Sequence, residues 1–282
     1  PGVTPALGAD ALSTTHVTLA VTWMAVLAGI IAIGVVLRAA MELGERRGRF
    51  VSAVTHELRT PLTTFCLYTE MLADGMVSDE EKKREYFATL KGESRRLAGI
   101  VENVLDYARL GGTRRTHMHT VTEASEMLQR ILPTLERCTD RAGMRLDADV
   151  SGVEGLGVEA DSPTVERVLL NLVENACKYA AEAEDKRVHL SARRIDSRRG
   201  PSLEIRVRDH GPGIPGAERR KVFLAFRRGK RDADSAKSGL GLGLALARGL
   251  ARGMRGELRL CGDRAEGAEF CLTLPAAGPS VR

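Results

Sequence analysis

The feature that most constrains the fold is a run without charged side chains from Ala11 to Leu37, most apolar over Val17–Leu37. A helix of that most apolar length extends about 31 Å, which matches the hydrocarbon core of a bilayer. Arginine follows the run at once, and no Lys or Arg precedes it. The positive-inside rule therefore predicts a single span of the inner (plasma) membrane, with Pro1 outside and 38–282 in the cytoplasm.

Two other interpretations of this segment compete with a membrane span. A cleaved signal peptide needs a basic start and a shorter apolar stretch, and this segment has neither. A buried helix of a soluble protein is the other alternative. The sixteen residues before the span are too few to fold alone, and the chain starts with Pro1 rather than Met. We therefore expect a further segment upstream.

The composition argues against a nucleic-acid partner and against a cysteine framework. The net charge is +5, but the basic residues are interspersed with acids, and no basic stripe alternates with aromatics. Five cysteines form an odd set without a C-x-x-C pair, which argues against a cysteine zinc site and a disulfide framework. This pattern suits a reducing cytoplasm.

After the span, the apolar spacing predicts a helical hairpin. Apolar residues recur at three- and four-residue steps within 38–73, which favours one long helix. A turn over 74–79 follows, with Ser78 or Asp79 as the cap of a second helix. In that helix, heptad spacing relates Leu90, Leu97 and Val104. A two-helix core is thin, so we expect a homodimer that forms a four-helix bundle.

Beyond Gly111-Gly112 and a polar linker, the pattern changes to mixed helices and strands. Two of the predicted strands, 187–195 and 203–209, alternate apolar and polar residues, as in an antiparallel sheet with one buried face. Helices beside such a sheet predict an α+β sandwich. The predicted helices cover 123–142, 162–181 and 240–253, and the predicted strands cover 144–150, 157–160, 187–195, 203–209, 256–262 and 268–274.

A histidine in the first long helix has neighbours that favour chemistry. The segment Val54–Pro61 reads VTHELRTP. A lone helical histidine is usually structural, but histidine offers a neutral nucleophilic nitrogen near neutral pH. Glu57 can hydrogen-bond one ring nitrogen of His56 or take its proton, which leaves the other nitrogen to attack. Pro61 removes a backbone donor and tends to bend the helix just below the histidine.

A second motif places two amides and an ammonium on one helix face. Asn171, Asn175 and Lys178 share a stripe at helical spacing. Amide oxygens suit Mg²⁺, which prefers oxygen ligands and keeps several waters, and an ammonium suits phosphate. The alternative is an ordinary polar helix face.

Two glycine-containing motifs complete the set. Asp209 stands at a predicted strand end before two glycines, a pattern that many turns share. The run Ser238–Leu244 alternates glycines before a helix, where backbone N–H groups can bind phosphate. A dinucleotide-binding fold does not fit, because no βαβ unit surrounds this run. Between the motifs lies the segment Phe223–Arg228, whose basic end is a candidate phosphate contact or a solvated loop.

In this order, the motifs resemble the H, N, D-x-G-x-G, F and G-x-G-x-G boxes of bacterial membrane-bound sensor histidine kinases, over 46–275. The resemblance implies an ATP-binding domain of the histidine kinase/gyrase/Hsp90 type. It implies that His56 accepts a phosphoryl group, that Glu57 is its base, and that Thr60 directs water in phosphatase action. It also implies that Asn175 holds Mg²⁺ with help from Asn171.

The resemblance assigns the nucleotide contacts as well. Lys178 is expected near the phosphates and Tyr179 near the adenine. Asp209 is expected to accept a hydrogen bond from the adenine amino group. Phe223 and Phe226 are expected to anchor a mobile lid over ATP. Arg228 is expected to meet the γ-phosphate, and Lys230 is a second candidate for that contact. The nucleotide-binding glycines are implied to be Gly211, Gly213, Gly239, Gly241 and Gly243.

Two positions depart from the family pattern. Ala180 stands where a small hydroxyl residue is commoner, which puts one minor contact in doubt. Met254-Arg255-Gly256 stands where the family often has paired glycines, and here we expect a local change in the loop.

The sequence thus predicts an ATP-dependent protein-histidine kinase that phosphorylates itself and passes the group to the receiver domain of a response regulator. One alternative within the family is a core that mostly dephosphorylates its regulator, and Thr60 keeps it open. The other is a non-enzymatic ATP-binding scaffold, and the intact His56-Glu57 pair speaks against it. The predicted domains are a stub (1–16), a transmembrane helix (17–37), a juxtamembrane linker (38–49), a dimerisation and phosphotransfer domain (50–111), a linker (112–120), an ATP-binding domain (121–277) and a tail (278–282).

Overall fold

The computed structural model describes two compact units of the chain, Pro1–Ser52 and Ala53–Arg282. The described residues are 9–110, 121–197, 200–227, 240–262 and 267–277. Helix α1 (Ala9–Ala73) includes the apolar stretch His16–Met41, which lies in the first unit, has a mean hydropathy of 2.5 and is long enough to cross a membrane. The described side chains of this stretch are exposed.

The helical hairpin consists of the second part of α1 and helix α2 (Glu80–Leu110). Helix α1 continues through Pro61 without interruption. The Asp79 carboxylate accepts a hydrogen bond from the backbone N–H of Glu81 at 2.9 Å, so Asp79 caps α2. Near the turn, the rings of Tyr68 and Tyr86 meet edge to face with centroids 4.4 Å apart, which joins the two helices.

The α/β part contains a five-stranded sheet with the order β2-β4-β5-β7-β6. Its β2 and β4 strands are parallel, and its other neighbours are antiparallel. A small antiparallel pair, β1 with β3, lies apart from this sheet. The strands are β1 (Val121–Glu123), β2 (Arg145–Gly152), β3 (Gly157–Glu159), β4 (Arg187–Ser197), β5 (Gly200–Arg208), β6 (Glu257–Cys261) and β7 (Glu269–Pro275).

Helices pack on one face of the sheet and build the core. Alternate residues of β4 are buried, because Val188, Leu190 and Ala192 face the helices while the residues between them do not. Aliphatic side chains from α3 and α4 meet them. The helices are α3 (Ala124–Arg141), α4 (Ser162–Tyr179), the short α5 (Gly216–Arg219) and α6 (Gly243–Gly253).

Two sequence expectations are corrected here. Helix α6 begins at Gly243 rather than at 240, because Gly241 has a φ of 66°, which no right-handed helix contains. The structure also joins Cys261 and Cys271 by a disulfide, with Cα atoms 6.0 Å apart. These cysteines meet because β6 and β7 are antiparallel neighbours.

The expected loop change at 254–256 takes a definite form. Arg255 has a φ of 57°, a left-handed conformation that glycine adopts more readily. A Cβ on Gly256 would lie 2.4 Å from the Thr273 carbonyl oxygen, so that position has no room for a side chain. The chain therefore keeps glycine at the crowded position and places arginine at the strained one.

Candidate functional site

The hairpin presents His56 to solvent and buries its neighbour. The His56 side chain is exposed on α1, as is Thr60 one turn further. Glu57 is only 8% exposed, and its carboxylate lies 3.5 Å from the Arg96 guanidinium of α2. An accessible histidine is thus followed in the chain by a buried carboxylate that has a cationic partner.

A small apolar cluster joins the hairpin to the α/β part, and we call it the hairpin contact. Its buried members are Ile100 of α2 and Leu240 and Leu242, which precede α6. The residues packed around them come from both sides: Ala53, Val54, Leu58, Val104, Tyr107, Ala225 and Phe226. Because Val54 and Leu58 flank His56 in α1, the contact brings the segment before α6 against the helix that carries the histidine.

The next turns of α2 add polar and aromatic links. Arg167 of α4 forms an ion pair with Asp106. The Tyr107 ring meets the Phe226 ring edge to face, with centroids 5.3 Å apart. The sequence does not predict these links, because the heptad residues of α2, including Val104, favour a dimer seam. The adjacent acidic and aromatic residues in α2 were the available signal.

Asn171 and Asn175 lie one turn apart on helix α4, and each side chain is hydrogen-bonded to the helix backbone. The Asn171 side-chain amide donates to the Arg167 carbonyl at 3.0 Å, and the Asn175 amide donates to the Asn171 carbonyl at 2.8 Å. The nitrogens are thus bonded to the helix, which leaves each side-chain oxygen as the atom that can bind a ligand. Oxygen is the donor that Mg²⁺ prefers, so Asn175 fits a role in holding that ion.

The start of α6 lies directly against these asparagines. A Cβ on Gly243 would lie 2.9 Å from Asn171 Oδ1, so glycine permits the close approach of α6 to α4. Gly241, with its φ of 66°, packs on the Arg227 backbone, and its carbonyl accepts a hydrogen bond from the Phe226 N–H at 3.1 Å. The predicted F, G and N motifs therefore meet at one place.

Asp209 lies at the end of β5 and is 6% exposed. One of its oxygens, Oδ1, accepts hydrogen bonds from the Gly211 N–H at 2.9 Å and the Ala268 N–H at 3.0 Å. Burial raises the pKa of Asp209 above its usual range, while these two hydrogen bonds lower it. With Oδ1 engaged by the backbone, Oδ2 is the oxygen that can accept from a ligand.

The end of α4 lies next to this aspartate. A Cβ on Gly211 would lie 3.0 Å from the Tyr179 carbonyl oxygen, so the D-x-G-x-G turn contacts the end of the N motif. The Lys178 ammonium lies 5.1 Å from the Tyr179 ring centroid. Gly213 has a φ of 66° in the same turn.

The structure thus brings the described members of the four α/β motifs together around α4 and the start of α6. Phe223 is fixed within this part, because its ring meets Phe270 edge to face at 6.1 Å and the Arg248 guanidinium lies 4.6 Å from its centroid. Arg228 and Gly239, both predicted nucleotide contacts, lie outside the described residues.

Two family models match the chain. Residues 46–113 match the His Kinase A (phospho-acceptor) domain, and residues 160–278 match the histidine kinase-, DNA gyrase B- and HSP90-like ATPase. The first range contains the His56 segment, and the second contains all four α/β motifs.

Curated relatives agree with the family models. The chain is 31% identical over 230 residues to the sensor-like histidine kinase SenX3 of Mycobacterium tuberculosis, covering 82% of this chain and 54% of the relative. It is 32% identical over 243 residues to the sensor protein KdpD of Escherichia coli, covering 84% of this chain and 25% of that relative. The chain therefore spans about half the length of these relatives or less.

Solved structures share the fold. Full-length ShkA in complex with AMPPNP superimposes with a TM-score of 0.58 at 26% identity, over 80% of this chain and 45% of that one. The Acinetobacter baumannii histidine kinase AdeS superimposes with a TM-score of 0.60 at 20% identity, over 79% of this chain and 98% of that one.

Proposed function

The chain belongs to the sensor histidine kinases, and we propose that it transfers the γ-phosphoryl group of ATP to His56 and then to an aspartate of a response regulator. One observation carries the proposal: an exposed histidine, followed by a buried, paired carboxylate, stands on a helix that contacts the segment leading into the asparagine–glycine site.

In the first step, a ring nitrogen of His56 forms a bond to the γ-phosphorus. The bond from that phosphorus to the β–γ bridging oxygen breaks, and ADP leaves with the electron pair. Glu57 accepts the imidazole proton or orients the ring through a hydrogen bond. Arg96, 3.5 Å from the Glu57 carboxylate, holds that carboxylate in place. Positioning and charge neutralisation carry most of the acceleration in such a transfer.

The nucleotide would be held by the α/β part. Asp209 Oδ2 accepts from the adenine amino group, and Tyr179 and Lys178 lie at the adjoining end of α4. Asn175, helped by Asn171, offers its side-chain oxygen to Mg²⁺, which neutralises phosphate charge when bound. The N-terminus of α6 directs backbone N–H groups toward the phosphates.

The test uses the full chain in detergent with γ-labelled ATP and Mg²⁺. Acid-labile, base-stable label on the wild type, absent from His56→Gln, supports the proposal. Asn175→Ala should also abolish labelling. Label that survives in His56→Gln contradicts the assignment of the acceptor, and full labelling of Asn175→Ala contradicts the Mg²⁺ assignment.

The scaffold alternative is distinguished by the same measurement. A wild type that binds ATP but acquires no label would support a non-enzymatic ATP-binding role. Added purified receiver domain should remove label from His56 and acquire it on aspartate.

We further propose that Thr60 takes part in dephosphorylating the regulator, because it is exposed one helical turn from His56. Thr60→Ala should keep autophosphorylation and slow that dephosphorylation.

We propose a homodimer through the hairpin. Several large apolar side chains of the hairpin are exposed in the single chain, including Leu62, Val101 and Leu105, each about half exposed. A second copy would remove them from water. Leu105→Glu should shift the chain from dimer to monomer in sedimentation, whereas Lys91→Glu, on an exposed position of the same helix, should not.

We also propose that the helix around His16–Met41 spans the inner membrane, with the phosphotransfer and ATP-binding domains of 50–111 and 121–277 in the cytoplasm. Cys66 is exposed and unpaired by disulfide, so it reports sidedness. A membrane-impermeant maleimide should label it in inverted vesicles and leave it unlabelled in intact spheroplasts. Cys66→Ser is the control, and equal labelling in both preparations contradicts the orientation.

A further inference from the structure

Three metal-ligating side chains that have no assigned role in nucleotide binding converge at one place, and we call them the Asp185–His189–His210 cluster. His189 lies on β4, Asp185 lies just before that strand, and His210 lies just after β5. Their ligand atoms all lie within 4.8 Å of one another. We propose that this cluster binds a divalent transition-metal ion of the zinc class, a role separate from phosphoryl transfer.

The distances fit a small ion with tetrahedral ligands. His189 Nε2 lies 2.9 Å from His210 Nε2, and His210 Nε2 lies 3.6 Å from the Asp185 carboxylate. Zinc bonds of about 2.0–2.1 Å place tetrahedral ligand atoms roughly 3.3 Å apart. Small side-chain rotations are therefore enough to direct the three atoms at one ion, and water supplies a fourth ligand.

A fourth residue, Asp147, orients the His189 ring. His189 Nδ1 lies 3.1 Å from the carboxylate of Asp147, its partner in the parallel β2–β4 register. A carboxylate accepts a hydrogen bond from an N–H group. Asp147 therefore favours the His189 tautomer that carries hydrogen on Nδ1 and the lone pair on Nε2. This carboxylate–histidine–metal arrangement is the usual outer-shell support of a zinc ligand.

The ligand set selects the class of metal. Two imidazoles and one carboxylate suit Zn²⁺ and its first-row neighbours, whereas Mg²⁺ and Ca²⁺ prefer oxygen ligands. Asp185 also forms a paired ion contact with Arg187, whose guanidinium lies 2.7 Å from the carboxylate. A carboxylate has about four acceptor positions, so it can keep this contact while binding a metal. All three ligands are partly exposed, which gives an ion access from solvent.

The test is calorimetric titration of the full, untagged chain in detergent with ZnCl₂. The background carries Cys66→Ser together with His16→Gln, His56→Gln, His117→Gln and His119→Gln, so His189 and His210 are its remaining histidines. We expect one saturable equivalent, which excess Mg²⁺ does not displace. Co²⁺ should give the intense visible absorption of a tetrahedral ion. His189→Asn and His210→Asn should each abolish both signals.

Matched variants separate the metal site from a structural role. Asp147→Asn should weaken Zn²⁺ binding about 10- to 100-fold, whereas Asp149→Asn, two residues along the same strand, should leave it unchanged. Circular dichroism identifies variants that fail to fold, and the two histidine variants test the site independently. No saturable binding, or wild-type affinity in folded His189→Asn or His210→Asn, overturns the proposal.

Discussion

The ring of Tyr107, on α2, meets the ring of Phe226 edge to face, with centroids 5.3 Å apart and planes at 82°. Phe226 also has a φ of 61°, an unusual conformation for a bulky residue, and its N–H donates to the Gly241 carbonyl. One aromatic residue thus connects the hairpin with the glycine segment before α6. Strained residues persist where surrounding contacts hold them, and the Tyr107 ring is one such contact.

The pair should show measurable coupling. Edge-to-face aromatic pairs contribute about 0.5–1.5 kcal/mol beyond the area that they bury. We expect the double variant Tyr107→Leu/Phe226→Leu to lose less unfolding free energy than the two single variants together, by that amount. Urea unfolding followed by circular dichroism measures the cycle. One control pair, Tyr68→Leu with Phe226→Leu, should be additive, because those residues belong to different contacts. Additivity for Tyr107 and Phe226 would contradict the coupling.

Asp209→Asn should separate ligand recognition from folding. The asparagine oxygen can still accept from the Gly211 and Ala268 N–H groups that now bond Oδ1. Its NH₂ would replace Oδ2 and face the adenine amino group, donor against donor. We expect ATP affinity to fall by roughly tenfold or more, since an unpaired buried polar group costs about 1–3 kcal/mol. Calorimetry with ATP measures this loss, and unchanged affinity would contradict the adenine assignment.

The raised pKa of Asp209 also makes the free energy of unfolding depend on pH, and Asp209→Asn should remove this dependence. Burial raises the folded-state pKa of Asp209 above the ordinary value of 3.8, so the folded state binds the proton more tightly than the unfolded state does. The wild type therefore loses stability as pH rises from that ordinary value through the folded pKa. We expect Asp209→Asn to gain unfolding free energy relative to wild type across this acidic window and to keep the gain above it. Denaturant titrations at several pH values measure the difference, and the opposite slope would contradict the sign.

Gly243→Ala should disturb the site more than the fold. Its new Cβ would lie 2.9 Å from Asn171 Oδ1, and a side-chain amide can rotate away more easily than backbone can. We expect weaker ATP binding, with little change in melting temperature. Gly92→Ala is the control, because nothing lies within 4 Å of its Cβ in α2. That change should stabilise the helix by about 0.5–1 kcal/mol and leave ATP affinity unchanged. Equal ATP affinities of Gly243→Ala and wild type would contradict the close packing.

The helices and strands could be predicted from local sequence patterns, whereas the contacts between them could not. Alternation in β4 and the Asp79 cap are set by neighbouring residues, so the sequence predicts them well. The start of α6 was misplaced because a glycine run permits either helix or left-handed turn, and packing on Arg227 selects the turn. The Asp106–Arg167 and Tyr107–Phe226 contacts join residues far apart in the chain, and no local spacing specifies them.

Arg255 should be a site where a single change stabilises the protein. Its φ of 57° costs a non-glycine residue about 1–2 kcal/mol, and glycine adopts it freely at a smaller entropic cost in the unfolded chain. The ion pair that Arg255 makes with Glu159, at 3.6 Å, is exposed at the arginine and half-buried at the glutamate, so its loss costs about 1 kcal/mol or less. We expect Arg255→Gly to raise the unfolding free energy by roughly 0.5–1 kcal/mol. Arg252→Gly, in the last turn of α6, is the matched control and should lower it, because glycine disfavours helix. Thermal unfolding of both variants measures the contrast, and a lower melting temperature for Arg255→Gly would show that the conformation is not strained.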